Sequence, residues 1–343
     1  MNIALLGCGG VGKAFIRLLQ EKERQLMAQG LCISLKYVLS SKGGVYNPQG
    51  IDKADFLEFA ASERNIFKYS IGGNPNLSFE DIISNKDVDM LVELTPTNKD
   101  TGEPGLSHIT QALKNGINVV TGNKGPIMLA YKKLKDLAKE NSVQLGIGCT
   151  TGGALPTINA GLMDLAGSEI LSIEGVLNGT TNFIIQQMEE KAIDYQEALK
   201  TAQDLGIAET DPSYDIEGWD TAIKMLILVN VLMGEEKTLK DINVSGITGI
   251  TRKDIINAKT KGRKLKLIGR TVKDGEKLDM YVTLEEIDPS HPLYGVDGKN
   301  KGVTYISDTL GDLTIIGGAS GTKAAAASIL RDIVNIDKGY KFV

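Results

Sequence analysis

Four apolar residues, Ile3 to Leu6, run without a break into Gly7, Cys8, Gly9, Gly10, Val11 and Gly12, and then into a segment whose Phe15, Leu18 and Leu19 recur at helical spacing. A strand, a turn spaced GxGxxG and an amphipathic helix, in that order, leave few folds open to a chain. Gly7 permits the tight turn, Gly9 lets backbone approach a pyrophosphate, and Gly12 allows the helix to pack closely on the strand. Gly10 and Val11 complete the cofactor-binding turn, and the helix N-terminus that follows offers free N–H groups to the phosphates. The alternative is a purely structural turn, but the position between strand and helix favours a dinucleotide site.

Apolar runs and helical patterns alternate through the first half of the sequence: strands over 2–6, 33–39, 89–93 and 118–121, helices over 12–28 and 106–115, with Gly116 at a C-cap. Such alternation predicts an α/β chain whose first domain is Rossmann-type, with a mostly parallel sheet. The stretch Gly146 to Pro156 (GIGCTTGGALP) holds four glycines and a proline and reads as a hinge. The expected organisation is a dinucleotide-binding domain over 1–148, a second, α+β domain over 149–317 that carries the substrate, and a C-terminal segment, 318–343, whose alanine-rich helix returns to the first domain.

Charge and composition exclude several classes. With 38 basic and 43 acidic residues among 343, the net charge of −5 has the wrong sign for a nucleic-acid binder. The basic stretch from Arg252 to Arg270, with Lys259, Lys261, Arg263, Lys264 and Lys266, has no interleaved aromatics and reads as a solvated face. No apolar run reaches the ~18–20 residues that span a bilayer, and the N-terminus has no signal-peptide pattern, so a soluble, cytoplasmic protein with no membrane partner is expected. Cys8, Cys32 and Cys149 are odd in number and form no CxxC; they read as buried thiols. His108 and His291 are the only histidines, too few for a histidine-based metal cluster.

The end of the second strand indicates which dinucleotide is bound. It reads Leu39, Ser40, Ser41, Lys42, without the acid that usually accepts from an NAD ribose. Hydroxyls and a lysine favour the 2′-phosphate of NADP. Alternatively Lys42 is a solvated loop residue and NAD is accepted as well. Two further segments follow strands at their carboxyl ends, where ligands of open parallel sheets collect: Thr95, Pro96 and Thr97, and the TGNKG of Thr121 to Gly125 with Lys124.

The densest chemistry lies between Ala202 and Lys224, AQDLGIAETDPSYDIEGWDTAIK. Asp220 and Lys224 are four apart and share a helix face, and Met225, Leu226, Leu228 and Val229 make the rest of that helix apolar. Burial lowers a lysine pKa and a neighbouring carboxylate raises it, so Lys224 suits proton exchange; the bland reading is an ordinary i,i+4 ion pair. Glu209, Asp211, Asp215 and Asp220 place four carboxylates in twelve residues, which suits a substrate bearing an ammonium group, or else a solvated acidic turn.

This stretch resembles the signature of the homoserine dehydrogenases in the placing of Ala202, Gly206, Ile207, Ala208, Asp211, Pro212, Asp215, Ile216, Gly218, Asp220 and Lys224. The TGNKG segment and the LNGTTNFI of Leu177 to Ile184 resemble the same family. The resemblance implies a short form without an ACT-type regulatory domain, and reversible hydride transfer between L-homoserine and L-aspartate 4-semialdehyde in threonine and methionine biosynthesis, with NADP as cofactor and NAD accepted. It implies that Glu209 and Asp215 bind the substrate, Asp220 positions the hydroxyl and Lys224, and Lys224 assists proton transfer. Lys124 becomes the second lysine of the site, Gly179 and Thr180 line the pocket, Thr95 and Pro96 flank the nicotinamide, and the second domain forms a homodimer. Two departures stand out. Family members often carry an acid that helps bind a monovalent cation where this chain has Gly148, leaving backbone carbonyls of Thr151 and Gly153 as ligands; and the glycine turn GGASG before the last helix differs from the usual GAG pattern. Rival readings are a cysteine-based aldehyde oxidation at Cys149, which lacks a positioned histidine, and a dinucleotide sensor without turnover.

Overall fold

The parallel sheet grows from its middle strand. β1 (Asn2–Leu6) leads through the glycine turn into α1 (Gly10–Ala28) and then to β2 (Ser34–Ser40), β3 (Gly43–Tyr46), α2 (Lys53–Ser62), β4 (Gly73–Asn74), α3 (Phe79–Asn85), β5 (Met90–Glu93), α4 (Gly105–Lys114), β6 (Asn118–Thr121), α5 (Lys124–Glu140) and β7 (Leu145–Gly146). The strand order is β4-β3-β2-β1-β5-β6-β7. β2, β1, β5, β6 and β7 run parallel, and β3 and β4 are added antiparallel at one edge. Because β1 pairs with β2 on one side and β5 on the other, the order reverses at β1. A crevice for a ligand opens outside the carboxyl ends at such a switch point.

The computed structural model describes residues 1–343 and divides into two units, Met1–Thr150 with Gly321–Val343, and Thr151–Ser320. The short α6 (Cys149–Gly152) carries the chain from the first to the second. In the second unit follow α7 (Thr157–Met163), β8 (Ile170–Val176), α8 (Gly179–Lys191), α9 (Tyr195–Asp204), α10 (Ser213–Ile216), α11 (Trp219–Leu232), β9 (Asn243–Val244), α12 (Arg252–Thr260), β10 (Lys264–Asp274), β11 (Lys277–Ile287), β12 (Lys301–Ser307) and β13 (Asp312–Gly317). These strands form a second sheet of order β13-β12-β8-β10-β11-β9, antiparallel except between β11 and β9. The fold class is α/β with a Rossmann-type first sheet and an α+β second unit.

Local chemistry sets the helix starts. Asp52 accepts from the Ala54 and Asp55 amides, Ser78 and Asp81 form a capping box, and Asp194 and the Thr251–Asp254 pair cap α9 and α12. The inner face of α1 buries Phe15, Ile16 and Leu19 against Ile3 and Leu5. That core is completed by Ala326, Ile329 and Ile333 of α13 (Thr322–Asp337).

Two expectations need correction. Cys32 is exposed in the link between α1 and β2, and Cys8 and Cys149 are half-buried rather than enclosed. The basic stretch is not wholly a solvated face: Lys266 is 3% exposed, its ammonium donating to Asn182 Oδ1 at 2.9 Å and to the Val296 carbonyl. It lies in β10 between Leu265 and Leu267, where alternation turns it under the 288–300 loop, and those acceptors replace the water it loses.

Candidate active site

The glycine turn has the geometry that its spacing requires. Gly7 has φ +97°, and a Cβ there would stand 2.3 Å from the Leu94 carbonyl oxygen, so a side chain would collide with the end of β5. A Cβ on Gly12 would stand 2.2 Å from the Gly7 carbonyl oxygen, which is how closely α1 seats on the turn. At exposed Gly9 a Cβ would meet no protein atom within 4 Å, and the space is open to a phosphate. Gly9 also caps α1 without a side chain, so the first-turn amides, from exposed Gly10 and half-buried Val11 onward, receive no side-chain acceptor at their start. A cradle of this shape fits a dinucleotide pyrophosphate.

Beyond β2, Ser40 donates its hydroxyl to the Gly43 carbonyl at 2.9 Å and accepts from the Lys42 amide at 3.3 Å, folding the tight turn into β3. Ser41 and Lys42 are exposed at its tip. Across the switch point, Thr95 is half-buried, and Pro96 and Thr97 are exposed. The next strand end is tied to this one: Asn123 Nδ2 donates to the Thr95 carbonyl at 3.2 Å, and Asn123 Oδ1 accepts from the Gly125 amide as N-cap of α5. Lys124, half-buried, is therefore the first residue of a helix whose start is fixed.

In the second unit the structure brings most of the predicted residues together. Lys224 Nζ donates to the Leu177 carbonyl at 2.7 Å and to Asp220 Oδ2 at 2.5 Å. The two side chains are only 11% and 8% exposed. Asn178 binds both carboxylates, donating to Asp215 Oδ1 at 2.7 Å and Asp220 Oδ2 at 2.8 Å, while its own oxygen caps α8 through the Thr181 amide. Burial, then the nearby charge of Asp220, pushes the Asp215 carboxyl above its ordinary value, opposed by hydrogen bonds from Asn178 and Thr180 and by the charge of Lys224. Gly179 opens α8, and a Cβ there would stand 2.9 Å from the Lys299 carbonyl oxygen. Thr180 donates to the Ile207 carbonyl at 3.2 Å. Glu209 is exposed in the loop between α9 and α10, two residues after Ile207.

The turn considered for a monovalent cation has a different neighbour. Thr151 shares a 2.5 Å hydroxyl contact with Thr157, and the buried Lys301 ammonium donates to the Gly152 carbonyl at 3.2 Å and stands 3.5 Å from where a Gly153 Cβ would lie. The Lys301 ammonium thus already occupies the Gly152 carbonyl of this turn, and no group of three or more His, Cys, Asp or Glu residues could hold a metal ion.

Sequence reasoning missed two residues. Asn178 binds two acids at once, and its signal was its place directly before Gly179. Glu93 is an acid ending the apolar run Met90–Val92, and it is fully buried.

A glycine cradle at the switch point of a parallel sheet, with a buried lysine–carboxylate pair in a separate unit, defines a nicotinamide-dinucleotide oxidoreductase. Comparison with known proteins gives the particular family. Residues 7–147 match the model for the homoserine dehydrogenase NAD-binding domain, and residues 156–334 match that for homoserine dehydrogenase. A homoserine dehydrogenase of Methanocaldococcus jannaschii is 38% identical over 342 residues, covering 99% of this chain and all of that protein. An NAD(+)-dependent homoserine dehydrogenase of Pseudomonas canavaninivorans is 34% identical over 98% of this chain and 96% of its own length. Among solved structures, a hyperthermophilic archaeal homoserine dehydrogenase mutant in complex with NADPH aligns with a TM-score of 0.84 and 26% identity, over all of this chain and 99% of that one. The chain belongs to the homoserine dehydrogenase family of NAD(P)-dependent oxidoreductases.

Proposed function

We propose that the chain is a homodimeric, NADP-preferring homoserine dehydrogenase that interconverts L-homoserine and L-aspartate 4-semialdehyde by hydride transfer. The observation that carries the reading is the Lys224 ammonium, buried yet held between a carboxylate and the Leu177 carbonyl directly before Asn178 and Gly179. When bound, the dinucleotide supplies hydride exchange at its nicotinamide ring. Gly7, Gly9, Gly10, Val11 and Gly12 hold the pyrophosphate, and Ser40, Ser41 and Lys42 receive the 2′-phosphate. Thr95, Pro96 and Lys124 bound the nicotinamide end.

Asp215 and Glu209 bind the substrate ammonium, and Gly179 and Thr180 form the pocket wall. Asp220 orients Lys224 and the reacting hydroxyl. In the reducing direction Lys224 Nζ stabilises the developing alkoxide and gives it a proton; in the oxidising direction the neutral amine takes that proton back. Lys124, the first residue of α5, places a second positive charge at the nicotinamide end of the first unit.

The preference for NADP is supported by the absence of an acid after β2, and is opposed by the NAD(+)-dependence of the Pseudomonas relative. Dimerisation is supported by Val272 and Ile316. They are 39% and 45% exposed on the sheet face opposite the one that Gly269 turns to α11. No helix is long and apolar enough to cross a membrane. The test follows reduced-cofactor absorbance during homoserine oxidation with NADP and NAD in parallel. A higher kcat/KM with NADP is expected; no turnover with either cofactor sinks the assignment, and a higher value with NAD sinks the preference.

A further inference from the structure

The carboxyl ends of the central strands form a row in register: Leu39, Leu6, Glu93 and Thr121, from β2, β1, β5 and β6. Three of these residues are expected there. The fourth, Glu93, is a wholly buried acid in a strand that is otherwise Met, Leu and Val. Burying a carboxyl is costly unless it is hydrogen-bonded, and Glu93 is bonded on both oxygens. Oε1 accepts from the Thr95 amide at 2.9 Å and from the Thr95 hydroxyl; Oε2 accepts from the Thr121 hydroxyl at 3.2 Å, and the Asn123 amide also bonds to the carboxyl. Burial pushes the carboxyl above its ordinary value, and the Thr95, Asn123 and Thr121 bonds hold it back.

These donors belong to the two turns that leave the sheet on either side. Thr95 begins the segment after β5. Thr121 ends β6, and its hydroxyl accepts from the Asn123 amide at 2.9 Å. Asn123 then caps α5, whose first residue is Lys124. The turn after β5 also backs the glycine cradle, because the Leu94 carbonyl is the atom that excludes a side chain at Gly7. One carboxyl thus joins the Thr95 segment to the start of the lysine-bearing helix.

We propose that Glu93 is a positioning residue for hydride transfer: by holding the Thr95 and Asn123 turns together it fixes the nicotinamide-side wall and Lys124 before the cofactor arrives. This rests on the functional reading above. A displacement of about 1 Å at a reacting centre costs on the order of 10²-fold in rate, whereas the pyrophosphate cradle lies on another turn. Rate and affinity should therefore separate.

The test compares Glu93→Ala, Glu93→Gln and Glu93→Asp in the full chain. Glu93→Ala is expected to lose about 10²-fold in kcat, to raise the deuterium isotope effect on kcat measured with C4-deuterated homoserine, and to keep the Kd for NADPH within about threefold. It should also lose the enhanced emission of bound NADPH. Glu93→Gln keeps an oxygen for Thr95 and should recover to within about tenfold of the original kcat. If Glu93→Ala does not fold, Glu93→Asp serves, since its shorter reach should release one turn and cost about tenfold in kcat at unchanged Kd.

A kcat within threefold of the original in the folded alanine or aspartate variant overturns the proposal. So does a loss explained entirely by the fraction of protein unfolded, with the isotope effect unmoved. Absence of homoserine turnover in the unaltered protein would overturn the functional reading instead. The Glu93 proposal would then be decided by the NADPH emission alone, and unchanged emission in the variants would defeat it.

Discussion

Replacing Lys224 with methionine removes one charge from a buried pair while keeping most of the stem's volume. Surface ion pairs are worth little because water screens them, but here the partners are 11% and 8% exposed. Breaking a buried pair by removing one partner costs about 3–5 kcal/mol, because the other charge stays behind in a poor solvent. Asn178 would still donate to the orphaned Asp220, which offsets part of the loss. Asp215, whose carboxyl Asp220 already disfavours ionising, adds to it. An expected cost of about 4 kcal/mol, divided by a urea m value of about 2–3 kcal/mol/M, lowers the unfolding midpoint by roughly 1–2 M. Trp219, the chain's single tryptophan and the neighbour of Asp220, reports that transition by fluorescence. Adding Asp220→Asn removes the abandoned charge and should restore at least half of the lost stability, a coupling that two independent sites would not show. In urea-free buffer Lys224→Met should lose at least about 10²-fold in kcat while the dinucleotide Kd stays within about threefold. A midpoint shift below about 0.3 M, or a double variant as unstable as the sum of its parts, would refute the reasoning.

Two shorter predictions follow from perturbed groups. The Asp215 carboxyl titrates above its ordinary value, so the native protein holds a proton that the unfolded chain has already released, and stability falls as pH rises through that window. Asp215→Asn should remove the fall, measured as urea midpoint against pH. It should also remove an acid limb of kcat/KM for homoserine that lies above an ordinary aspartate's; a profile unchanged by the substitution would exclude Asp215 from substrate binding. Burial pushes the Cys8 thiol up to about 11, whereas Cys32 is exposed. A thiol reagent at pH 8 should therefore label Cys32 first and Cys8 at least about tenfold more slowly, read by peptide mass spectrometry. Equal rates would contradict the burial of Cys8.

The features legible in the sequence are those written in neighbouring residues. The first strand, its glycine turn and α1 were visible because spacing alone specifies them, and the observed α1 begins at Gly10 instead of the expected Gly12. Lys224 and Asp220 were visible because four residues make one helical turn. β3 was not: GGVY is four residues long, two of them glycine, and its strand character comes from pairing with β2. Glu93 escaped notice because the groups that make its burial tolerable include Thr121 and Asn123, which are about 30 residues away. Lys266 was misread for the same reason, its acceptors being supplied by Asn182 and Val296. Acids and lysines in apolar strands are signals only when distant partners are known. The bridging by Asn178 lay between the two cases, since its capping of α8 is local but its hold on Asp215 and Asp220 spans some forty residues.

The participation of α13 in the first unit has a consequence for how the protein is made. Ala326, Ile329 and Ile333 seal the apolar core around Ile3 and Phe15, and the Gly148 amide donates to buried Asp332 at 2.7 Å. During translation the first 150 residues emerge lacking that seal, whereas residues 151–320 form an uninterrupted stretch. The later-synthesised portion can thus mature before the earlier one, reversing the N-to-C order in which domains usually fold on the ribosome. Until residue 333 has cleared the exit tunnel, the nascent nucleotide-binding half presents a greasy groove to chaperones.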